Sequence, residues 1–277
     1  MKKILVPVDF SECSANALKV AATLAKKNGA EIVVLHMIGL SESIIGNSPR
    51  QDYEIIQYIK LVEKKFEEFL DKDYLRGLNL TDSVYNYQNF SDINKLAKEH
   101  QASLIIMGSH GTSGLNEMFV GSNTEKVVRT SDVPVLVVKG EPKNFSLDHS
   151  VFVSDFSSNS IDVYKRAMSF FDKFNTKVEL VYINLPADKF RSNKQLRKRF
   201  RDFMEEAEEG NMERLGDIII YNDYSVEAGV FQYAETTRAP LITIPTHGRR
   251  GLAHFFSGSI GEDIVNRSDI PVLTFKI

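Results

Sequence analysis

The chain has 277 residues, a length that fits one large domain or two domains of about 140 residues. Hydrophobic residues make up 43% and charged residues 26%, which is enough apolar material for ordinary globular cores. The net charge of −3 argues against broad affinity for nucleic acid, and no apolar run is long enough to span a membrane. The single cysteine excludes an internal disulfide framework and predicts a cytoplasmic location.

Short apolar segments alternate with amphipathic ones along the first half of the chain. We predict strands at residues 4–8, 31–38, 84–87, 104–107 and 133–138. Their hydrophobicity is continuous rather than alternating, which is typical of parallel strands covered on both faces. Apolar residues at helical spacing lie between them, as in the series Ile55, Ile59, Val62, Phe66 and Phe69. Strands alternating with helices predict a parallel α/β sheet with right-handed crossovers.

The stretch of residues 104–128 carries the clearest chemical pattern. An apolar strand runs into a loop with Gly108, Gly111 and Gly114, and Gly121-Ser122 then precedes a helix. Glycines let the main chain approach an anion closely, and the free amides at a helix start carry partial positive charge. The pattern therefore favours phosphate binding, and nucleotide binding above all. The alternative is an ordinary strand-to-helix turn whose glycines only satisfy positive φ angles.

The spacing separates this loop from two better-known phosphate-binding motifs. A Walker loop has Lys-Ser or Lys-Thr after its last glycine, whereas Gly121 is followed by Ser122-Asn123. A dinucleotide fingerprint follows the first strand of its sheet, whereas this loop follows a late strand.

The second half of the chain repeats the first. Val-Ser-Asp-Phe-Ser at 153–157 matches the Val-Asp-Phe-Ser segment at 8–11, and Gly258-Ser259 matches Gly121-Ser122. We therefore predict two domains of one fold, at residues 1–140 and 149–277, joined by a linker near residues 140–148.

Three groups of residues together resemble the universal stress protein family. These are the opening Pro-Val-Asp-Phe-Ser at 7–11, the G-x2-G-x9-G-S motif that starts at Gly108, and the closing Pro-Val-Leu-Val at 134–137. The resemblance covers nearly the whole chain as two tandem copies. It implies two Rossmann-like α/β domains, each with a five-stranded parallel sheet in the order 3-2-1-4-5 and helices on both faces. It also implies that ATP binds between the ends of strands one and four, where open α/β sheets place ligands.

The resemblance assigns roles to individual positions. Asp9 would accept hydrogen bonds from the ribose or adenine side. Met37 would offer main-chain groups to the adenine edge, and Met107 would line the same pocket. The positions on the ribose and phosphate side are Gly108, Gly111, Gly121, Ser122 and Asn123. At Asn123 the chain departs from the family, which more often has a small β-branched residue there. Mg²⁺ or Mn²⁺ can accompany the ATP, since such ions bind largely through substrate oxygens.

The second copy departs from the motif inside the loop. Pro245 stands at the position of Gly108, which removes an amide donor and fixes φ. Arg249 and Arg250 replace small residues and add bulk and charge. We therefore expect ATP to bind mainly in the first domain.

The motifs indicate a nucleotide-dependent stress sensor or regulator rather than a turnover enzyme. The sequence offers no evident general base, nucleophile or phosphate-clamping lysine, so we expect weak ATP hydrolysis at most. Two alternatives stay open: a tandem module that binds no nucleotide and acts through protein contacts, and a slow ATPase. The two fifth strands are apolar and by topology lie at sheet edges, which invites pairing. The resemblance implies dimers that pair through this strand, so we expect the two halves to form an internal pseudo-dimer, and a homodimer remains open.

Three residues near the predicted pocket also have structural interpretations. Asp9 could be a helix N-cap, and His36 fits a pocket-edge position at the end of a strand. Cys13 starts a helix, which could lower its thiol pKa, but the chain has no second cysteine to resolve a disulfide.

The segment at 189–201 is strongly basic. Leu196, Phe200 and Phe203 fall on one helical face, and a glutamate-rich segment follows directly. This pattern favours a solvated amphipathic helix, with an anionic partner as the alternative.

Overall fold

The computed structural model describes residues 2–38, 49–86, 92–109, 122–141, 145–246, 264–265 and 268–277. Strands and helices alternate in both halves, as predicted. The strands are β1 (Lys3–Val8), β2 (Glu31–Ile38), β3 (Leu80–Asn86), β4 (Leu104–Ser109), β5 (Val135–Lys139), β6 (His149–Val153), β7 (Lys177–Asn184), β8 (Ile219–Asn222), β9 (Ile242–Thr246) and β10 (Val272–Lys276). The helices are α1 (Glu12–Asn28), α2 (Pro49–Leu70), α3 (Asp92–Glu99), α4 (Ser122–Thr130), α5 (Ile161–Asp172), α6 (Asn193–Ala207) and α7 (Val226–Thr237).

All ten strands form one sheet in the order β3-β2-β1-β4-β5-β10-β9-β6-β7-β8. Each half has the predicted order 3-2-1-4-5, and neighbouring strands within a half are parallel. The halves meet where β5 pairs antiparallel with β10, with Leu136 opposite Leu273. The fold class predicted from the alternating pattern is thus confirmed.

Apolar residues on both faces of the strands bury the sheet between two layers of helices. Along β1, Ile4 and Val6 face one core, which also takes buried residues of α1, α2, α5 and α6. Leu5 faces the other core, together with α3, α4 and α7. This division explains the continuous hydrophobicity of the strand segments, because every residue of a doubly covered strand has an apolar neighbour.

Helix α1 shows how local sequence sets the boundaries of an element. The Ser11 side chain accepts a hydrogen bond from the main-chain N–H of Ser14, so Ser11 and not Asp9 caps the helix. The helix ends at Asn28, and Gly29 follows in the left-handed conformation with φ of 62°.

Three predicted elements need correction. Strand β3 begins at Leu80, four residues earlier than predicted, because an edge strand tolerates the polar residues at 81–83. Strand β4 continues through Gly108 and Ser109, so Gly108 is a strand residue and not the first loop residue. In α2, Ile59 is 36% exposed although its spacing predicted burial, whereas Val62 and Phe66 are buried.

The two halves also share polar contacts beside the β5–β10 pair. The Lys276 ammonium lies 2.9 Å from the Asp132 carboxylate and donates to the main-chain oxygen of Thr130. Lys98 forms a second ion pair with Asp132. Together these cations hold the pKa of Asp132 below its usual range. At the equivalent place in the other half, Lys139 is buried.

Candidate functional site

A crevice opens in each half where the strand order reverses. Strand β1 pairs with β2 over six residues but with β4 only at Ile4–Leu104 and Leu5–Ile105. The two strands therefore separate toward their carboxyl ends. Strands β6 and β9 pair over two residues in the same way. A topological switch point of this kind is where open α/β sheets bind ligands.

Gly108 forms one wall of the crevice in the first half through a close main-chain approach. A Cβ atom added at Gly108 would lie 2.3 Å from the main-chain oxygen of Cys13 and 2.8 Å from the main-chain nitrogen of Ser14. Only glycine allows the start of α1 to approach β4 this closely. In the second half, Pro245 occupies the matching register position, opposite Phe275 in β10. The first turn of the equivalent helix is there a 3-10 turn at Ser158–Ser160.

Asp9 lies at the other wall, directly after β1. Its Oδ1 accepts a hydrogen bond from the main-chain N–H of Ser11 at 3.0 Å, and the residue is exposed. Partial burial opposes ionisation, but the hydrogen bonds from Ser11 and Ser14 outweigh it and hold the pKa of Asp9 below its usual value. Asp9 therefore presents a carboxylate at neutral pH.

Thr124 fastens the start of α4 to the end of β4. Its hydroxyl donates to the main-chain oxygen of Gly108 at 3.2 Å, and the side chain is buried. Sequence reasoning assigned no role to this residue, although it lies among the polar residues at the start of the predicted helix. The contact brings the free amides of α4, from Ser122 onward, near the crevice.

The other predicted site residues have different placements. Ser122 begins α4, and Asn123 follows it as an exposed residue. Met107 is buried in β4, and Met37 is partly buried near the end of β2, with both packed into the same core. Gly111 and Gly121, like the second-half residues Arg249 and Arg250, lie outside the described residues.

Phe10 forms an aromatic cluster at the edge of the crevice, which the sequence did not predict. Its φ is 65°, and its ring lies 4.5 Å from the ring of His36 and 5.1 Å from that of Phe66. The Nδ1 atom of His36 lies 2.8 Å from the main-chain oxygen of Val8, as expected for a satisfied pocket-edge histidine. Phe156 repeats the positive φ in the second half, at 51°. The Asp-Phe-Ser triplet, repeated in both halves, was the sequence signal that could have indicated this shared turn.

Cys13 does not have the lowered thiol pKa that a helix start can produce. Burial and the nearby carboxylates of Asp9 and Glu12 raise the pKa of its thiol. These effects outweigh the helix start, so the thiol is protonated at neutral pH.

In the second half, the carboxylate at the equivalent switch point is covered by another part of the chain. Asp155, the counterpart of Asp9, accepts two hydrogen bonds from Arg199: Nε donates to its main-chain oxygen at 2.5 Å and Nη2 to its carboxylate at 3.0 Å. The Ser160 hydroxyl also donates to the carboxylate, at 3.0 Å. At the end of β7, the side-chain oxygen of Asn184 accepts a hydrogen bond from the main-chain N–H of Arg191 at 3.1 Å. Arg199 therefore fills the place that Asp9 leaves accessible.

Within the described ranges, no group of three or more histidine, cysteine, aspartate or glutamate side chains could hold a metal ion. The helices described by the structure are also too short or too polar to cross a membrane.

The sheet order, the two splayed switch points and the glycine approach at Gly108 define a tandem doubly wound α/β protein. The model of the universal stress protein family matches residues 1–139 and 148–276. The chain belongs to this family.

Relatives match either one half of the chain or its whole length. Universal stress protein MJ0577 of Methanocaldococcus jannaschii is 33% identical over 50% of this chain and 94% of its own length. Universal stress protein MT2052 of Mycobacterium tuberculosis is 20% identical over 99% of this chain and 95% of its own length. A crystal structure of a universal stress protein from Archaeoglobus fulgidus superposes with a TM-score of 0.65 at 23% identity, over 99% of this chain and 98% of that one. That superposition supports the fold.

Proposed function

We propose that the first half binds ATP at the crevice between β1 and β4, and that the protein acts as a nucleotide-dependent stress sensor or regulator. The observation that carries the proposal is the contrast between two equivalent carboxylates. Asp9 is exposed and hydrogen-bonded by residues of its own turn, whereas Asp155 is covered by Arg199 from α6. An accessible carboxylate at a switch point suits the hydroxyl groups of a ribose.

The main chain around Gly108 supports the phosphate side of the proposal. The close contact at Gly108 brings β4 against the start of α1, and Thr124 holds the start of α4 at the same strand end. Free main-chain amides at a helix start bind phosphate oxygens by charge-assisted hydrogen bonds. The predicted contacts of Gly111, Gly121, Ser122 and Asn123 would complete the phosphate side, and Mg²⁺ or Mn²⁺ would bind through the phosphates themselves.

A regulatory role follows from the chemistry of the residues around the crevice. Asp9 has a lowered pKa and so is a weak base, and Cys13 has a raised pKa and so is a poor nucleophile at neutral pH. Rapid phosphoryl transfer needs a positioned base or clamping cations. We propose slow hydrolysis at most, with output through a change in conformation or assembly that ATP stabilises.

Isothermal titration calorimetry tests the proposal. ATP is expected to bind with a stoichiometry of one per chain, and Asp9→Asn is expected to weaken the affinity about tenfold, or about 1.4 kcal/mol. Gly121→Asp should abolish binding, because it adds bulk and like charge beside the phosphates. Asp155→Asn is the matched control and should leave the ATP affinity unchanged, since Arg199 already occupies that carboxylate.

The outcomes separate the alternatives. If the wild-type chain binds no ATP, ADP or GTP, the remaining interpretation is a module that binds no nucleotide and acts through protein contacts. An equal loss of affinity in Asp9→Asn and Asp155→Asn would show that ATP does not bind specifically at the first-half site. ATP consumed in steady state by the pure protein, and less by Asp9→Asn, would make it a slow ATPase.

A further inference from the structure

Helix α6 carries its charges in the order that a helix disfavours. Its basic residues come first, and its acidic residues come last or just beyond its end: Lys194, Arg197, Lys198 and Arg201, then Asp202, Glu205, Glu206 and Glu209. The first turn has no acidic residue and the last turn no basic one. The helix dipole favours the reverse arrangement, with anions at the N-terminus and cations at the C-terminus. Helix stability therefore does not account for this segregation.

These eight charged residues all lie on the solvent side of the helix. They are exposed, while the opposite face buries Leu196, Phe200, Phe203, Met204 and Ala207. Only Lys198 and Asp202 form an ion pair within the part of the chain that the structure describes, at 2.7 Å. The remaining charges of the segment point elsewhere, since Arg199 binds Asp155 and Glu208 accepts from Tyr164.

The charges are arranged symmetrically about the midpoint between Arg201 and Asp202. Each cation before the midpoint has an anion at the same distance after it. We propose that this face of α6 pairs antiparallel with the same face of a second copy of the chain. A twofold axis at that midpoint sets three cations opposite anions of the other copy: Lys194 opposite Glu209, Lys198 opposite Glu205 and Arg201 opposite Asp202. Arg197 and Glu206 lie on opposite flanks of the helix and add charge at the two sides of the contact. Each pair forms twice, because a twofold interface is isologous.

The helical positions fit such a seam. Lys194, Lys198, Arg201 and Glu205 follow one another at intervals of four, three and four residues. This spacing keeps them in line along the helix, as in the seam of paired helices. Side chains of the other copy can therefore meet them along the full length of α6.

Charge complementarity selects a second copy over other partners. A nucleic acid or an anionic lipid surface would be attracted by the first half of α6 and repelled by the carboxylates of the second half. A basic partner would meet the converse problem. A surface with the inverse order neutralises both halves, and this chain presents one. Exposed ion pairs are individually weak and screened by salt, so the dimer is expected to be strongly salt-dependent.

Sedimentation velocity over a concentration series tests the proposal. The wild-type protein is expected to dimerise at about 0.01 M salt and to dissociate at about 1 M, where the screening length falls to ~3 Å. An all-acidic variant and an all-basic variant should both be monomeric at low salt. The acidic one carries Lys194→Glu, Arg197→Glu, Lys198→Glu and Arg201→Glu, and the basic one carries Asp202→Lys, Glu205→Lys, Glu206→Lys and Glu209→Lys.

Mixing the two variants provides the decisive measurement. Equimolar amounts are expected to form a heterodimer at low salt, which a misfolded variant would not do. Lys60→Glu with Lys64→Glu, at two exposed lysines of α2, is the matched control and should leave the wild-type dimer intact. The proposal is overturned by a wild-type monomer at every concentration at low salt, by dimers that persist in both single variants, or by variants that stay monomeric when mixed.

Discussion

Arg199 binds Asp155 twice, through the main-chain oxygen and through the carboxylate, at the carboxyl end of β6. This contact joins α6 to the switch point of the second half. In the first half the equivalent residue is Asp9, whose carboxylate accepts a hydrogen bond from its own turn. Two copies of one fold thus differ at the position where a ligand would bind.

Replacing Arg199 is expected to cost stability without creating a nucleotide site. Arg199→Ala should lower the free energy of unfolding by about 1–3 kcal/mol, since hydrogen bonds to a charged partner are lost. The stoichiometry of ATP should stay at one, because Pro245 still lacks the main-chain N–H that Gly108 has. Urea denaturation and calorimetry measure the two effects. Arg197→Ala, an exposed arginine on the same helix, is the control for stability.

Gly108→Ala tests the close approach of β4 and α1. A Cβ at 2.3 Å from the oxygen of Cys13 forces the main chain to move, so stability should fall by about 1–3 kcal/mol. ATP affinity should fall with it. Gly216→Ala is the matched control, because nothing lies within 4 Å of a Cβ there. Equal stability of the two variants in urea denaturation would refute the close contact.

Lys139 is expected to make the protein more stable in alkaline solution. Burial lowers the pKa of its ammonium to about 8 from the usual 10.5, and Asp269 partly opposes this shift. Between these values the unfolded chain binds more protons than the folded one, so stability should rise with pH, by at most about 1.4 kcal/mol per pH unit. Lys139→Met should remove the rise in denaturation curves measured at successive pH values. Lys276→Met, at the equivalent position, should leave it in place.

Asp132→Asn is expected to weaken the contact between the halves in a pH-dependent way. The hydrogen bonds from Lys276 and Lys98 keep the pKa of Asp132 below its value in the unfolded chain, so its contribution is present above about pH 4 and is lost as the pH falls further. Because Asp132 is partly exposed, the difference at neutral pH should be under about 1 kcal/mol. A difference as large at pH 2 as at pH 7 would show that the charge is not its source.

Much of the fold could be predicted from periodicity and turn residues. Strand β2 has the predicted bounds, because its continuous apolar run stops at glycine. Strand β3 was predicted too short, since an edge strand needs fewer apolar residues than a central one. The parallel order within each half followed from strand–helix alternation and the family pattern.

The site was harder to predict because its contacts are remote or involve the main chain. Arg199 lies 44 residues from Asp155, and no local pattern links them. The bond from Thr124 to Gly108 joins a side chain to a main-chain oxygen, which leaves little trace in sequence. The helix start allowed a lowered pKa for the Cys13 thiol, but burial and the carboxylates of Asp9 and Glu12 raise it, and these remote effects leave no local pattern.

The antiparallel pairing of β5 with β10 has a consequence for how the molecule can change over time. Where two identical chains associate, every substitution appears on both sides of the axis at once. Here one polypeptide supplies both β5 and β10, so the two halves are present in equal numbers at any concentration. A substitution in one half leaves the other half unchanged. Gly108 in the first half and Pro245 at the equivalent position of the second half are an example of such a change in one half alone.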